Sequence, residues 1–536
     1  MPPPLKGILH TKDYQHFIIR SPDGTETPFE DAAAAGCTLP GDEVSWDGTV
    51  ATLIARCRAQ PLVGTLELNS KSRYGITSRG VLRYMFTPYS EAYPPFFVGC
   101  SSRDTSRNLL VRIQFDSWPT SSTCPIGTLT QTFGPAGDLK AEEEALLAHY
   151  APVRWKSTDT LPCLETGLEG VAASVDATQL DTFHIDPPGC RDIDDAISFQ
   201  ELEKDMYAVY IHIADVASWI HAYPQLAEKA AEIGQTIYRD GVAVRPMFPA
   251  SFSEGHMSLL PGEIRTAWTL VFPWDAGRGA VGLGEGRWER QRIIVKESYT
   301  YETAATSRWA GLLQRLTSGL VNRPVTDSHE WVEQLMLLYN REAAAMLKRV
   351  GAGVLRRHAG PDVERFEAMR AIGLPADRLA MRAGEYCLAT EEGVAHWGLG
   401  AEVYCHASSP IRRWSDCINQ LVLASVFQGV EDPYTAAGAK EAGALNAASK
   451  RAKGYERDVA YVRILLAAGG AALATEGVVV EEGRIYISSW ERMVRADTTG
   501  FVAGTEVSAR VFADSSKRNW KRRLVVKIEA CTLRGG

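Results

Sequence analysis

His184-Ile185-Asp186-Pro187-Pro188-Gly189-Cys190-Arg191-Asp192-Ile193-Asp194-Asp195-Ala196-Ile197-Ser198-Phe199 is the stretch on which the reading of this chain turns. Asp186, Asp192, Asp194 and Asp195 set four carboxylates within ten residues. Pro187, Pro188 and Gly189 exclude regular helix or strand between the first and the rest, so the segment is a turn. In extended backbone Asp192 and Asp194 share a face and Asp195 points across. Carboxylates this close repel unless a cation neutralises them, and an all-oxygen set without His or Cys suits Mg²⁺ or Mn²⁺. The EF-hand calcium pattern fails at Ala196. A solvated acidic turn is the alternative that this segment alone leaves standing.

Working outward, β-rich runs such as AVYIHIADV (208–216) and WTLVF (268–272) alternate with helical patterns. Trp331–Val350 has apolar residues at helical spacing, and so does 449–468. This alternation predicts one large α/β domain over residues 151–468. Upstream, HFIIR, GDEVSW, FFVGC and LLVRIQF are short strands divided by turn signals such as SPDG. PLKGILH at Pro4 and PLVGTLE at Pro61 open two similar phrases, which predicts tandem OB-type barrels over 1–58 and 59–150 rather than one β-sandwich. LKAEEEALLAHY closes that region as a helix. Downstream, EGVVV, RIYISS, TEVSARVF and RLVVKIEA predict a third small barrel over 469–536.

A length of 536 residues with 45% hydrophobic and 23% charged side chains fits several globular domains and excludes wholesale disorder. No apolar run approaches the ~20 residues of a membrane helix, so no membrane partner is expected. The opening MPPPLKGILHTKD has no secretory pattern. The expected location is the cytoplasm, or an organelle where a presequence has been removed. Ten scattered cysteines without a CxxC pair predict buried thiols rather than a zinc set or a disulfide framework.

The aspartate segment and its surroundings resemble the catalytic signature of the ribonuclease II/ribonuclease R family, the RNB exoribonucleases. The resemblance continues in order through IHIADVASWI (211–220), RPMFPASFSEGHMSLLPGEIR (245–265) and YTYE (299–302). It runs on through VEQLMLLYN (332–340), HWGLGAEVYCHASSPIRRWSD (396–416) and YERD (455–458). It implies a multidomain α+β chain whose central catalytic α/β domain follows two cold-shock-like barrels and precedes one OB-type barrel. Asp186, Asp192, Asp194 and Asp195 match the family's metal ligands, with Asp192 and Asp194 catalytic and Mg²⁺ (or Mn²⁺) as the cofactor. Arg412 matches the arginine set against the scissile phosphate, which a guanidinium fork suits. Tyr301 matches the aromatic that stacks the terminal base, Tyr238 a tyrosine at the far end of the nucleotide path, and Glu456 a glutamate serving translocation. Three departures stand out. The stretch between Tyr301 and Trp331 is short and lacks the segment that carries a second clamping aromatic. Gln420 and Leu421 replace a His-Arg pair, and Met257 replaces a cysteine.

The net charge of −8 argues on its face against a nucleic-acid binder. Its distribution reads differently: from Arg451 onward 15 Lys/Arg face 10 Asp/Glu, leaving −13 for residues 1–450. KRNWKRR (517–523) sets five cations around Trp520, the footprint of single-strand binding, with Trp520 and Arg522 as expected substrate contacts. The expectation is a Mg²⁺-dependent 3′→5′ exoribonuclease that degrades single-stranded RNA to nucleoside 5′-monophosphates, monomeric as an enzyme. The alternative is a catalytically inactive RNB-fold scaffold within a ribonucleoprotein.

Overall fold

A computed structural model describes residues 4–57, 60–156, 159, 174–429, 439–514, 516–517 and 519–531. The chain forms two compact units, Val153–Lys453 and Met1–Pro152 with Gly454–Gly536. The helix Ala439–Gly470 contributes to both.

The second unit is built from three five-stranded β-structures. In the first, strands within Leu5–Ala55 run in the order 3-2-1-4-5; the last, within Leu473–Cys531, repeats that order. The middle one, within Leu62–Pro135, closes into a barrel through a parallel pairing of Phe96–Gly99 with Ile126–Pro135. The two PLxG phrases open the first strands of the first two structures, Leu5–Thr11 and Leu62–Leu66. The repeated glycine has a packing cause. A Cβ on Gly7 would lie 2.5 Å from the Arg20 carbonyl oxygen, and one on Gly64 would lie 2.1 Å from that of Thr87. Neighbouring strands cross at these points too closely for any side chain. LKAEEEALLAHY is the helix Leu139–Tyr150, capped by Asp138, whose carboxylate accepts from the Ala141 N–H.

The unit Val153–Lys453 centres on a seven-stranded sheet. Its central strands are Thr182–Ile185, Asp195–Glu203, Met206–Ala214, Ile264–Asp275 and Arg287–Tyr299, and pairing of the last two closes these five on themselves. Residues 208–214 are buried without a break, as expected when both faces of a strand are covered. Ala208 and Tyr210 pack into one hydrophobic cluster, Val209, Ile211 and Ile213 into another. Helix Ser328–Val350 seals the second cluster with Trp331, Leu335 and Tyr339. Helix Trp414–Gln428 reaches both, through Ile418 and Leu421 on one side and Val422 and Leu423 on the other. Among the described residues no helix is long and apolar enough to cross a membrane.

This packing explains one departure noted in the sequence. Leu421 and Gln420 are both 1% exposed. The Gln420 amide accepts from the Ala217 N–H and donates to the Ala214 carbonyl, each at 2.8 Å. The pair joins the helix to the end of a central strand and is core, not a channel surface. Met257 is likewise buried packing.

Candidate active site

The aspartate turn connects two adjacent antiparallel strands, leaving Thr182–Ile185 at Asp186 and entering Asp195–Glu203 at Asp195. Its backbone is held from outside. Ser258 Oγ donates to the Arg191 carbonyl (2.8 Å) and accepts from the Ile193 N–H (3.0 Å). The Leu259 N–H adds a bond to the Ile193 carbonyl, at 3.1 Å. The phrase HMSLLPGE therefore acts as a brace for the turn. The turn opens onto a cleft of about 850 Å³ lined by all four aspartates together with Tyr238, Tyr301 and Arg412.

The four carboxylates have different surroundings. Asp186 accepts a hydrogen bond from His184 Nδ1 at 2.9 Å. Asp192 accepts from the Tyr238 hydroxyl and, at 3.5 Å, from the Cys190 thiol. Asp194 is 4% exposed. It accepts from the Ile411 N–H (2.9 Å) and faces Arg412 Nε at 3.2 Å. Burial nevertheless pushes its carboxyl up to about 7 against the pull of Arg412 and the Ile411 N–H. Asp195 is held well above the usual carboxylate range by burial and by the charges of Asp186 and Asp194. Burial and the same acidic surroundings, Asp186 and Asp192, push the Cys190 thiol up to about 12.

The loop carrying Arg412 is positioned by two further residues that motif spacing did not single out. Asn340, at the end of VEQLMLLYN, donates to the Tyr404 hydroxyl (3.1 Å) and Ser408 Oγ (3.2 Å) and accepts from the Ala407 N–H (2.9 Å). Asp416 accepts from the Ser409 N–H at 2.8 Å and takes a two-pronged bond from Arg413, at 2.9 and 2.8 Å. Arg413 is thus committed to Asp416, while the Arg412 side chain is 46% exposed. Both braces lie inside phrases visible in the sequence, but their partners are about 65 and 7 residues away, and only folding pairs them.

The donor chemistry fits a hard divalent cation, being carboxylate oxygen throughout. Among the described residues, however, no three His, Cys, Asp or Glu side chains converge closely enough to hold a metal ion. Asp186, Asp192 and Asp194 each direct an oxygen to a protein donor, so the four carboxylates line one cleft without three of them converging. Asp186 and Asp195 lie close enough to repel each other, and the charge of Asp186 helps to raise the Asp195 carboxyl. Mg²⁺ is commonly held by one or two carboxylates with water and substrate phosphate completing its octahedron, and this pair fits that mode.

Tyr301 opens the short helix Tyr301–Ala304, half-buried at the cleft, and burial with the charges of Asp186 and Asp195 pushes its hydroxyl up to about 12. Tyr238 sits in the hairpin formed by Ile237–Arg239 and Val242–Arg245. Glu456, Trp520 and Arg522 belong to the barrel-bearing unit. Glu456 is exposed on its helix. The expectation for Trp520 needs correction. The ring is 7% exposed and packs against Tyr89 and Tyr461, with centroids 5.4 Å away in each case. It is a core residue whose faces are taken, so the KRNWKRR segment offers cations but no stacking platform. Arg522 is exposed, 3.8 Å from Glu91. Arg518 lies outside the described residues.

Residues 174–309 and 283–429 match the family model described as RNB domain, and residues 83–151 match that of the Dis3-like cold-shock domain 2. The chain is 24% identical over 465 residues to the probable exosome complex exonuclease RRP44 of Caenorhabditis elegans, covering 69% of this chain and 48% of that one. It is 24% identical over 410 residues to the DIS3-like exonuclease 2 of Schizosaccharomyces pombe, covering 58% and 44%. The chain spans about half the length of the curated relatives it matches. Among solved structures, Mycoplasma genitalium RNase R in complex with ribose methylated single-stranded RNA aligns with a TM-score of 0.78 at 16% identity, over 98% of this chain and 100% of that one. Yeast Ssd1, a pseudonuclease, aligns with a TM-score of 0.66 at 14% identity, over 95% and 81%. At these identities the structural likeness is one of fold. The matched domains lead to one conclusion: residues 174–429 form an RNB domain, the domain of the ribonuclease II/ribonuclease R family.

Proposed function

We propose that this chain is a divalent-metal-dependent 3′→5′ exoribonuclease that shortens single-stranded RNA and releases nucleoside 5′-monophosphates. The observation that carries the reading is the convergence of four aspartates, an exposed arginine fork and two tyrosines on one cleft. Asp186 and Asp195 are the residues that would hold Mg²⁺ or Mn²⁺. Bound there, the ion would lower the pKa of a water and neutralise phosphate charge. Arg412, tethered by Asp194, is free on its outer side to pair two phosphate oxygens. Asp192 keeps Tyr238 turned into the cleft. Tyr301 offers a ring face to the terminal base, and stacking of this kind is indifferent to base identity.

A second reading, an RNB-fold RNA-binding scaffold without turnover, is favoured by one observation: among the described residues no three His, Cys, Asp or Glu side chains converge on a metal position. The likeness to yeast Ssd1, a pseudonuclease, is in keeping with it. A 5′-labelled unstructured RNA separates the two. Progressive shortening with Mg²⁺, abolished by chelator, is the expected result. Full-length RNA that is bound but never cut, with either Mg²⁺ or Mn²⁺, would establish the scaffold.

A further inference from the structure

Tyr301 has a ring partner. His329, the second residue of helix Ser328–Val350, lies on it with ring centroids 3.9 Å apart and planes 10° from parallel. The stack is tied at its edges. Ser328 Oγ donates to the Tyr301 carbonyl at 2.7 Å. Asp327, which caps the helix, accepts from the His329 N–H at 3.0 Å and lies 3.1 Å from the imidazole Nδ1. The two rings are placed differently. Tyr301 lines the cleft beside Asp186, Asp195 and Arg412, whereas His329 does not line it and its side chain is 64% exposed. One face of the Tyr301 ring is therefore covered by a residue from outside the cleft that Tyr301 itself lines.

We infer that His329 is a positioning residue for RNA: it backs Tyr301 so that the terminal base, the tyrosine and the imidazole form a three-layer stack. The inference rests on the reading of this cleft as the site of an RNA 3′ end. A tyrosine ring at a cleft wall can turn about its side-chain torsions, and a base that stacks on it must first halt that motion. A parallel ring fixed behind it removes that cost before the ligand arrives. The short stretch between Tyr301 and Trp331, which lacks a second clamping aromatic, thus still supplies one ring, from behind the tyrosine rather than across from it. The arrangement is blind to base identity, since every base has a π-face.

The test uses the full chain in chelator, where no cleavage occurs, and a single-stranded RNA ending in 2-aminopurine, whose fluorescence falls on stacking. His329→Ala is expected to weaken binding by about two- to tenfold, the size of one aromatic pair, and to lessen the quench. His329→Phe restores both. In a Tyr301→Ala background His329→Ala has no further effect. Wild-type binding and quench in His329→Ala overturn the inference. So does an equal loss in the Tyr301→Ala background, or a lowered unfolding temperature with the quench unchanged, which marks a purely structural pair. If Tyr301→Ala itself binds and quenches as the wild type does, the reading of the cleft fails, and the inference falls with it.

Discussion

Asp194→Asn should abolish turnover and, in metal-free buffer above neutral pH, make the protein more stable. The Asp194 carboxyl is displaced from 3.8 to about 7, with burial as the largest cause. At about 1.4 kcal/mol for each tenfold change in proton affinity, ionising this group costs the fold on the order of 4 kcal/mol. Arg412 at 3.2 Å and the Ile411 N–H at 2.9 Å already offset part of the desolvation. The native state holds the proton more tightly than the unfolded chain does. Both states are protonated below about pH 4, so there the penalty is absent. As pH rises from about 4 to about 7 the unfolded chain ionises first and wild-type stability falls, then levels off. An asparagine keeps the acceptor for Ile411 and carries no charge. Its advantage should be near zero at pH 4 and reach about 1–4 kcal/mol at pH 8, once relaxation of the site is allowed for. Urea denaturation in chelator across pH 4–8, with the variant compared to wild type at each pH, measures it directly. A variant no more stable than wild type at pH 8, or an advantage that does not shrink towards acid, would refute burial as the origin of the displaced proton affinity. RNA shortening measured alongside should vanish while RNA binding persists.

Three further outcomes are expected. His184→Ala frees Asp186 from its 2.9 Å hydrogen bond and should weaken Mn²⁺ binding by about 10–100-fold; a calorimetric titration checks this, with His184→Asn recovering much of the loss and unchanged affinity counting against a role. Gln420→Leu leaves the Ala217 N–H and the Ala214 carbonyl without the amide that joins them and should cost about 2–4 kcal/mol in urea denaturation; a loss below about 0.5 kcal/mol would show that these groups find other partners. Trp520→Ala should cost about 3–5 kcal/mol of stability; a variant of wild-type stability with weakened RNA binding would return Trp520 to the list of RNA contacts.

Much of the architecture was open to direct reading because it is local. Strands such as His16–Arg20 alternate inward and outward over five residues, and the helix expected at Trp331–Val350 begins only three residues earlier, at Ser328. The two PLxG openings show the same limit from the other side. Their recurrence was visible at once, but its cause, a carbonyl from a facing strand 2.1–2.5 Å from where a Cβ would sit, is a contact between strands.

The site divides along the same line. Alone, the chain determined that four aspartates crowd one proline-bound turn, and that Arg412 and Tyr301 stand in phrases of the same family pattern, because each phrase is contiguous. Only the tertiary structure decided what each group does. It gave Asp194 to Arg412 and the Ile411 N–H, more than 200 residues away. It gave Asp192 to Tyr238 and Asp186 to His184, and it set Asp186 beside Asp195. It buried Trp520 between Tyr89 and Tyr461, and it laid His329 on Tyr301. Burial, charge pairing and ring stacking are properties of neighbours in space, and a linear pattern specifies those neighbours only after the chain has closed on itself.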